Sequence, residues 1–294
     1  MGHVSVAVPT YNRAHFLRQC LLNLKAQDSK DFSVLVLDNG SIDATATVYQ
    51  EVVGSDARFS YHRHKETVTA LENFRCGLDM SPGPYFMWRA DDDLSDLNFI
   101  SALTSALDED PQADLAVCPF SRRYGESGTD DYQLTPPSLA GVQFPHKSAR
   151  LLRSSGGPVW IYGLWRKSAL LHNYRLFDSI DYRWLWAWDY ALMLPTLLSG
   201  AICVSLNTKF QQRIVGEATY FLPPTELLKA RQRYLEFGKS LLNQMPMNSA
   251  NKKILKKALW EHTQLNVALL WKTRRKAAYE AVRNLFHRVS FLKS

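Results

Sequence analysis

No apolar run in the 294 residues reaches the roughly 18 needed for a membrane-spanning helix. The nearest approach, residues 191–206, is broken by Pro195 and by Ser199-Gly200 and reads as helix, turn and strand. Val4 to Val8 is too short for the apolar core of a secretory signal and Pro9 ends it, so a cytoplasmic protein is expected. Cysteine is scarce: Cys20, Cys76, Cys118 and Cys203 stand far apart, without a CxxC pair or metal-ligand spacing. Reduced, mostly buried thiols are the expectation. Glycine-rich phosphate loops are also missing, which argues against a dinucleotide dehydrogenase or a P-loop enzyme.

What is present is an ordinary globular composition, 46% hydrophobic and 21% charged, enough for one large domain or two smaller ones. The net charge of +7 is uneven: from Lys252 onward, 11 Lys and Arg face only Glu261 and Glu280, giving that segment +9 and leaving −2 for residues 1–251. The body is near neutral and the tail is basic.

Alternating strand and helix signals fill the first half. Val4 to Val8 is a β-branched strand stopped by Pro9-Thr10-Tyr11-Asn12, and Phe16, Leu17, Cys20, Leu21 and Leu24 mark a helix after it. Phe32 to Leu37 predicts a second strand ending in Asp38-Asn39-Gly40-Ser41, then a helix from Ile42 to Val53. A short strand over Phe59 to His62 and a helix over Val68 to Leu78 follow. The strand at Tyr85 then runs straight into Asp91, Asp92 and Asp93. This is the grammar of a doubly wound parallel sheet. Carboxylates at such a strand end lie where open α/β sheets bind ligands. Three adjacent acids repel, so positive charge is expected beside them. A divalent cation carrying a diphosphate suits that need; a solvated turn capping the next helix is the plain alternative.

Three stretches resemble family-2 glycosyltransferases of GT-A fold: Val4 through Arg13, Val36 through Thr45, and Asn73 through Leu94. The resemblance implies an α/β, Rossmann-like, mixed but mostly parallel sheet flanked by helices. It also implies a nucleotide-sugar donor, usually a UDP-sugar. By position, Pro9, Thr10, Tyr11 and Asn12 would line the nucleoside pocket together with Asn73. Asp38 would accept from the base, a role compatible with an Asx turn at the same residue. Asp91 and Asp92 would contact the donor. A divalent metal (Mn2+ or Mg2+) would sit on Asp91 and Asp93, or on Asp92 and Asp93 if the alignment slips by one.

Residues 120–150 are polar and contain Gly and Pro, which predicts a long loop or lid. Trp160 through Leu170 resembles a further block of some family members, leading to Trp184-Leu185-Trp186-Ala187-Trp188-Asp189. The resemblance makes Asp189 the general base on the acceptor hydroxyl; the alternative is a helix N-terminal charge favoured by the dipole. The three tryptophans at alternate positions offer a sugar-stacking face if the segment is extended, although core or interface roles are expected for at least two. Arg213 occupies a diphosphate-neutralising position, while Val215 stands where many relatives carry His.

Beyond Thr225 the pattern turns helical. Apolar stripes at Ile254, Leu255, Ala258, Leu259 and Leu265, and again across 278–289, suit an anionic membrane surface, packing on the domain, or a homodimer. No nucleic-acid module accompanies the basic residues. The expected division is a GT-A domain over 1–222 (donor half about 1–118, acceptor half about 119–222) and a basic amphipathic helical region over 223–294. The implied activity is inverting, metal-assisted sugar transfer to a glycan or lipid-linked acceptor, at or near the inner membrane face, in cell-surface polysaccharide or lipopolysaccharide assembly. A nucleotide-binding scaffold of the same fold is the alternative.

Overall fold

The computed structural model of the chain describes residues 2–124, 130–154, 157–215 and 222–264. In chain order the first elements are β1 (Val4–Thr10), α1 (Ala14–Lys25), β2 (Phe32–Asp38), α2 (Thr45–Val53) and β3 (Phe59–Arg63). Next come α3 (Ala70–Met80), β4 (Tyr85–Trp88), β5 (Leu94–Ser95), α4 (Phe99–Glu109), β6 (Leu115–Val117), β7 (Phe120–Tyr124) and β8 (Asp130–Leu134). The remainder is α5 (His146–Arg153), a 3-10 turn (Gly157–Tyr162), β9 (Leu164–Arg166), α6 (Lys167–Asp178), α7 (Trp188–Ser199), β10 (Ile202–Val204), β11 (Phe210–Ile214) and α8 (Pro224–Gln244). Residues 249–264 form a last helix, α9.

Seven strands make the central sheet in the order β10-β6-β9-β4-β1-β2-β3, parallel except for β9, which runs against both β4 and β6. Period-two alternation divides the side chains between two cores. Val4, Val6 and Val8 of β1 face α1, α2 and α4, among Leu21, Val52 and Leu103. Ala7 and Leu37 face the other side with Leu78 of α3, Leu194 of α7 and Leu242 of α8. Helix α3 begins with a capping box: Thr69 Oγ1 accepts from the Glu72 N–H at 3.2 Å, and Glu72 Oε2 accepts from the Thr69 N–H at 2.8 Å. Such a box fixes the start of the helix that later walls the cleft.

The sheet and helices of the first half follow the sequence reading, with α2 starting at Thr45 rather than Ile42. Pro195 lies inside α7, and the helix instead stops at Gly200, whose φ of +76° suits the residue that ends it. Among the described residues, the stretch expected as a long loop over 120–150 contains two strands and the start of α5. β7 and β8 pair antiparallel in a second sheet, ordered β5-β11-β7-β8. Its strands are polar (Phe-Ser-Arg-Arg-Tyr in β7), so no apolar alternation announces them. Their order comes from the ladder to β11 and cross-strand pairs such as Arg122 Nε to Gln212 Oε1 at 2.7 Å.

Helices α8 and α9 pack on the domain: Tyr234, Phe237, Leu242, Leu255 and Leu259 are buried in the same core as Trp88 and Leu194. Of the options for the tail, packing therefore holds for these two helices. The stripe over 278–289 lies outside the described residues. No helix among the described residues is long and apolar enough to cross a membrane.

Candidate active site

The chain leaves β1 toward β2 and β3 on one side, then returns to place β4 on the other side of β1. That reversal opens a crevice beyond the carboxyl ends of β1 and β4, the switch point at which open α/β sheets hold ligands. Register puts Ala7 beside Trp88, so Thr10 and Asp91 leave their strands together. Thr10 Oγ1 donates to Asp91 Oδ2 at 2.6 Å. A cleft of about 540 Å³ lies there, bordered by Pro9, Thr10, Tyr11, Arg13, Asn39, Asn73, Phe74, Asp91, Asp92, Tyr162, Trp188 and Asp189, among others.

The three acids leave a tight turn, closed by the Asp93 N–H to the Ala90 carbonyl at 3.1 Å, in different directions. Asp91 and Asp92 border the cleft and are bridged by one guanidinium: Arg13 Nη1 is 3.1 Å from Asp91 Oδ1 and 2.9 Å from Asp92 Oδ2. Asp93 does not border it. Its Oδ1 accepts from the Arg213 backbone N–H at 2.8 Å, at the end of β11 in the second sheet. Burial pushes the Asp91 carboxyl up to about 6 against the pull of Arg13, and burial with the Asp92 charge raises Asp93 well above the ordinary carboxylate range.

The positive charge expected beside these acids is supplied by the chain itself. Besides Arg13, the fully buried Arg89 lies with its guanidinium 4.8 Å from the Phe99 ring and 5.1 Å from that of Phe210, donating to Ser95 Oγ at 2.9 Å. Arg213 is also buried; it donates to the Asp92 carbonyl and to Gln19 Oε1. Arg213 thus braces the acidic turn and is not among the residues that border the cleft.

Asp189 reaches the cleft from the start of α7. Ala187, at φ 55°, turns the chain into the helix, and the Tyr190 N–H donates to Asp189 Oδ1 at 2.7 Å. Burial raises the Asp189 carboxyl to about 6. The same left-handed turn means the Trp184–Trp188 segment is not extended throughout. Trp184 and Trp188 pack on the core, and Trp188 also borders the cleft.

The remaining expected residues take up positions around this centre. Tyr11 is 47% exposed at the cleft mouth. Asn73 borders the cleft with its amide held by Leu37 O at 3.2 Å and His64 Nε2 at 2.9 Å. Asn12, left-handed at φ 52°, uses its Oδ1 to accept from the Ile42 N–H at 2.8 Å, clasping the loop after β2. Asp38 is fully buried behind the cleft; it accepts from the Ser41 N–H at 2.8 Å in an Asx turn, from the Tyr61 hydroxyl, and faces Arg63 Nε at 3.4 Å. Its neighbour Asn39 is the residue that borders the cleft.

Arg13, Asn39, Phe74, Tyr162 and Leu185 were not singled out as site residues from sequence, whereas Trp188 belongs to the tryptophan set expected there. Arg13 directly follows the Pro9–Asn12 stretch, and Tyr162 lies within the Trp160–Leu170 block, so adjacency to those motifs was the available signal. Burial and the surrounding aspartates raise the Tyr162 phenol well above its ordinary value, keeping it a hydrogen-bond donor.

Asp91 and Asp92 suit a divalent cation chemically: they are oxygen donors in one cleft, close enough for one positive group, an Arg13 N–H, to bridge them. Mn2+ and Mg2+ bind through one or two carboxylates, completed by phosphates and water, so a third protein ligand is not required.

The family described as Glycosyl transferase family 2 matches residues 5–170, more than half of the chain. A Campylobacter jejuni GalNAc(5)-diNAcBac-PP-undecaprenol β-1,3-glucosyltransferase is 33% identical over 96 residues, 32% of this chain and 30% of that protein. The putative glycosyltransferase EpsH of Bacillus subtilis is 26% identical over 127 residues, 42% of this chain and 36% of EpsH. The chain therefore spans about a third of the length of these relatives. Among solved structures, S. aureus TarS 1-349 in complex with UDP-GlcNAc superposes with a TM-score of 0.66 at 16% identity, covering 89% of this chain and 73% of that one. The mannosyltransferase PcManGT of Pyrobaculum calidifontis, in complex with GDP-Man and Mn2+, gives 0.56 at 15% identity over 96% and 82%. At these identities the likeness shows the fold, which is GT-A.

Proposed function

Because the chain belongs to glycosyl transferase family 2, we propose that it moves a sugar from a nucleoside diphosphate sugar to an acceptor hydroxyl with inversion. The observation that carries this reading is one cleft holding an acidic pair at the β1–β4 switch point and a separate carboxylate, Asp189, with its pKa raised to about 6. Asp189 is poised near neutral pH to take the acceptor proton, which a weak hydroxyl nucleophile requires. Asn39, Asn73 and Tyr11 border the space assigned to the nucleoside, and the Tyr162 hydroxyl is a donor for diphosphate oxygens.

A divalent metal, when bound, would stabilise the charge of the departing diphosphate. Asp91 with Asp92 would hold it, since these are the carboxylates that border the cleft; Asp93 would set the turn from behind. Arg13 would then pass from the carboxylates to the diphosphate. UDP is the first nucleotide to test, because TarS is described with UDP-GlcNAc and UDP. The acceptor is assigned to a glycan or lipid-linked glycan, in line with the acceptor named for the Campylobacter relative. Its use in cell-surface polysaccharide or lipopolysaccharide assembly, at the cytoplasmic membrane face, rests on the same analogy. Arg13 already neutralising the acidic pair favours a second reading, a nucleotide-binding scaffold without transfer.

A thermal-shift series with UDP, GDP, CDP and dTDP, each with and without Mn2+, tests the donor assignment. A nucleotide at 100 times its Kd adds ~2.7 kcal/mol of stability. Stabilisation by one nucleotide, enhanced by Mn2+, is expected. Absence of any shift would remove the donor site, and binding without release of nucleoside diphosphate from its sugar would favour the scaffold.

A further inference from the structure

Beside α3, among residues that do not border the cleft, a second group of ligating side chains converges. His62 is the penultimate residue of β3, His64 follows it two residues on, and Cys76 projects from α3; one ligand atom from each lies within 4.8 Å of the others. Among the described residues this is the one set of three His, Cys, Asp or Glu side chains to meet so closely. We propose that His62, His64 and Cys76 form a transition-metal site, separate from the aspartate cleft, that takes Zn2+.

The donor set decides the class of ion. Two imidazoles and a thiolate are borderline-to-soft ligands, which favour Zn2+, Co2+ or Cu+ and discriminate against Mg2+ and Mn2+. Cys76 Sγ lies 3.4 Å from Met80 Sδ, which adds another soft neighbour. Bonds of about 2.0–2.1 Å to nitrogen and ~2.3 Å to sulfur require only small side-chain rotations from the present spacing. Three protein ligands leave a fourth position for water, the arrangement of an open zinc site.

Access and orientation are both provided. All three side chains are partly exposed, so an ion can enter from solvent, and Cys76 is a free thiol. The two imidazole rings are 5.0 Å apart and nearly perpendicular. His64 Nε2 is 2.9 Å from Asn73 Oδ1, an amide oxygen that fixes the ring and leaves Nδ1 for the ion, as an orienting partner behind a metal-bound histidine does. Because Asn73 also borders the nucleotide cleft, the site clamps β3 to the helix that walls that cleft. Its role is to rigidify this wall.

Co2+ is the probe, added to the metal-free full-length protein without nucleotide. The expected result is a thiolate-to-cobalt charge-transfer band, displaced by Zn2+ and accompanied by a rise in Tm. The band should be lost in both Cys76→Ser and His62→Ala and retained in Asp91→Asn, which separates this site from the proposed catalytic one. No band in the wild-type protein, or a band that survives Cys76→Ser, or one lost in Asp91→Asn, would overturn the assignment.

Discussion

Replacing Asp189 by Asn separates what the carboxylate does for the reaction from what it costs the fold. Burial raises its pKa from 3.8 to about 6. The folded state therefore favours the protonated form. The penalty for ionisation is absent below about pH 4, grows between 4 and 6, and is complete above 6. A displacement of that size corresponds to about 3 kcal/mol. The cleft admits water, so this is an upper bound, and a gain of about 1–3 kcal/mol is expected for Asp189→Asn at pH 8. Asn keeps an oxygen for the Tyr190 N–H, so the start of α7 is preserved. Turnover should fall by about 10²–10⁴-fold with nucleotide binding intact. Wild-type turnover should rise with pH through about 6. Paired urea melts at pH 4 and pH 8, with nucleoside diphosphate release as the activity readout, check both halves. A variant that is less stable than wild type at pH 8, or that keeps full turnover, would refute the reasoning.

Three further perturbations address the frame around the site. Arg13→Ala leaves Asp91 and Asp92 facing each other without their bridging cation, and should lower Tm by an amount equivalent to about 1–2 kcal/mol, recovered on adding Mn2+. In Gly77→Ala the new Cβ would lie 2.7 Å from Ala7 Cβ and 2.8 Å from Leu37 Cδ1, so α3 must lift off β1. A loss of about 1–3 kcal/mol and weaker nucleotide affinity are expected, read by denaturant melts and calorimetry. Truncation after residue 222 removes Tyr234, Leu242, Leu255 and Leu259 from the core shared with Trp88; the fragment should expose apolar surface and aggregate, as light scattering would show.

Much of the donor half was legible in the sequence because local signals agreed there. Val4, Val6 and Val8 alternate along β1, Phe32 to Leu37 makes β2, and Tyr85 to Trp88 runs into the acids at a strand end. What a linear reading could not resolve was direction. Whether Asp92 or Asp93 joins Asp91 in the cleft depends on the Ala90–Asp93 turn and on the Arg213 N–H, which arrives from residues 120 positions away. Asp38 was visible as a strand-end carboxylate, yet its partners Tyr61 and Arg63 come from β3. The second sheet escaped because β7 is polar and gains its order from β11. The grouping of His62 and His64 with Cys76 was equally hidden, since the histidines come from the end of β3 and the cysteine from α3, and only the fold brings them together.

In the proposed reaction Asp91 holds the donor and Asp189 acts on the acceptor. Calorimetric titration of UDP, with and without Mn2+, into wild type, Asp91→Asn and Asp189→Asn tests it most directly. Metal-strengthened binding is expected in wild type and Asp189→Asn, with the metal-dependent part lost in Asp91→Asn. Equal binding by wild type and Asp91→Asn, or loss of binding in Asp189→Asn, would contradict it.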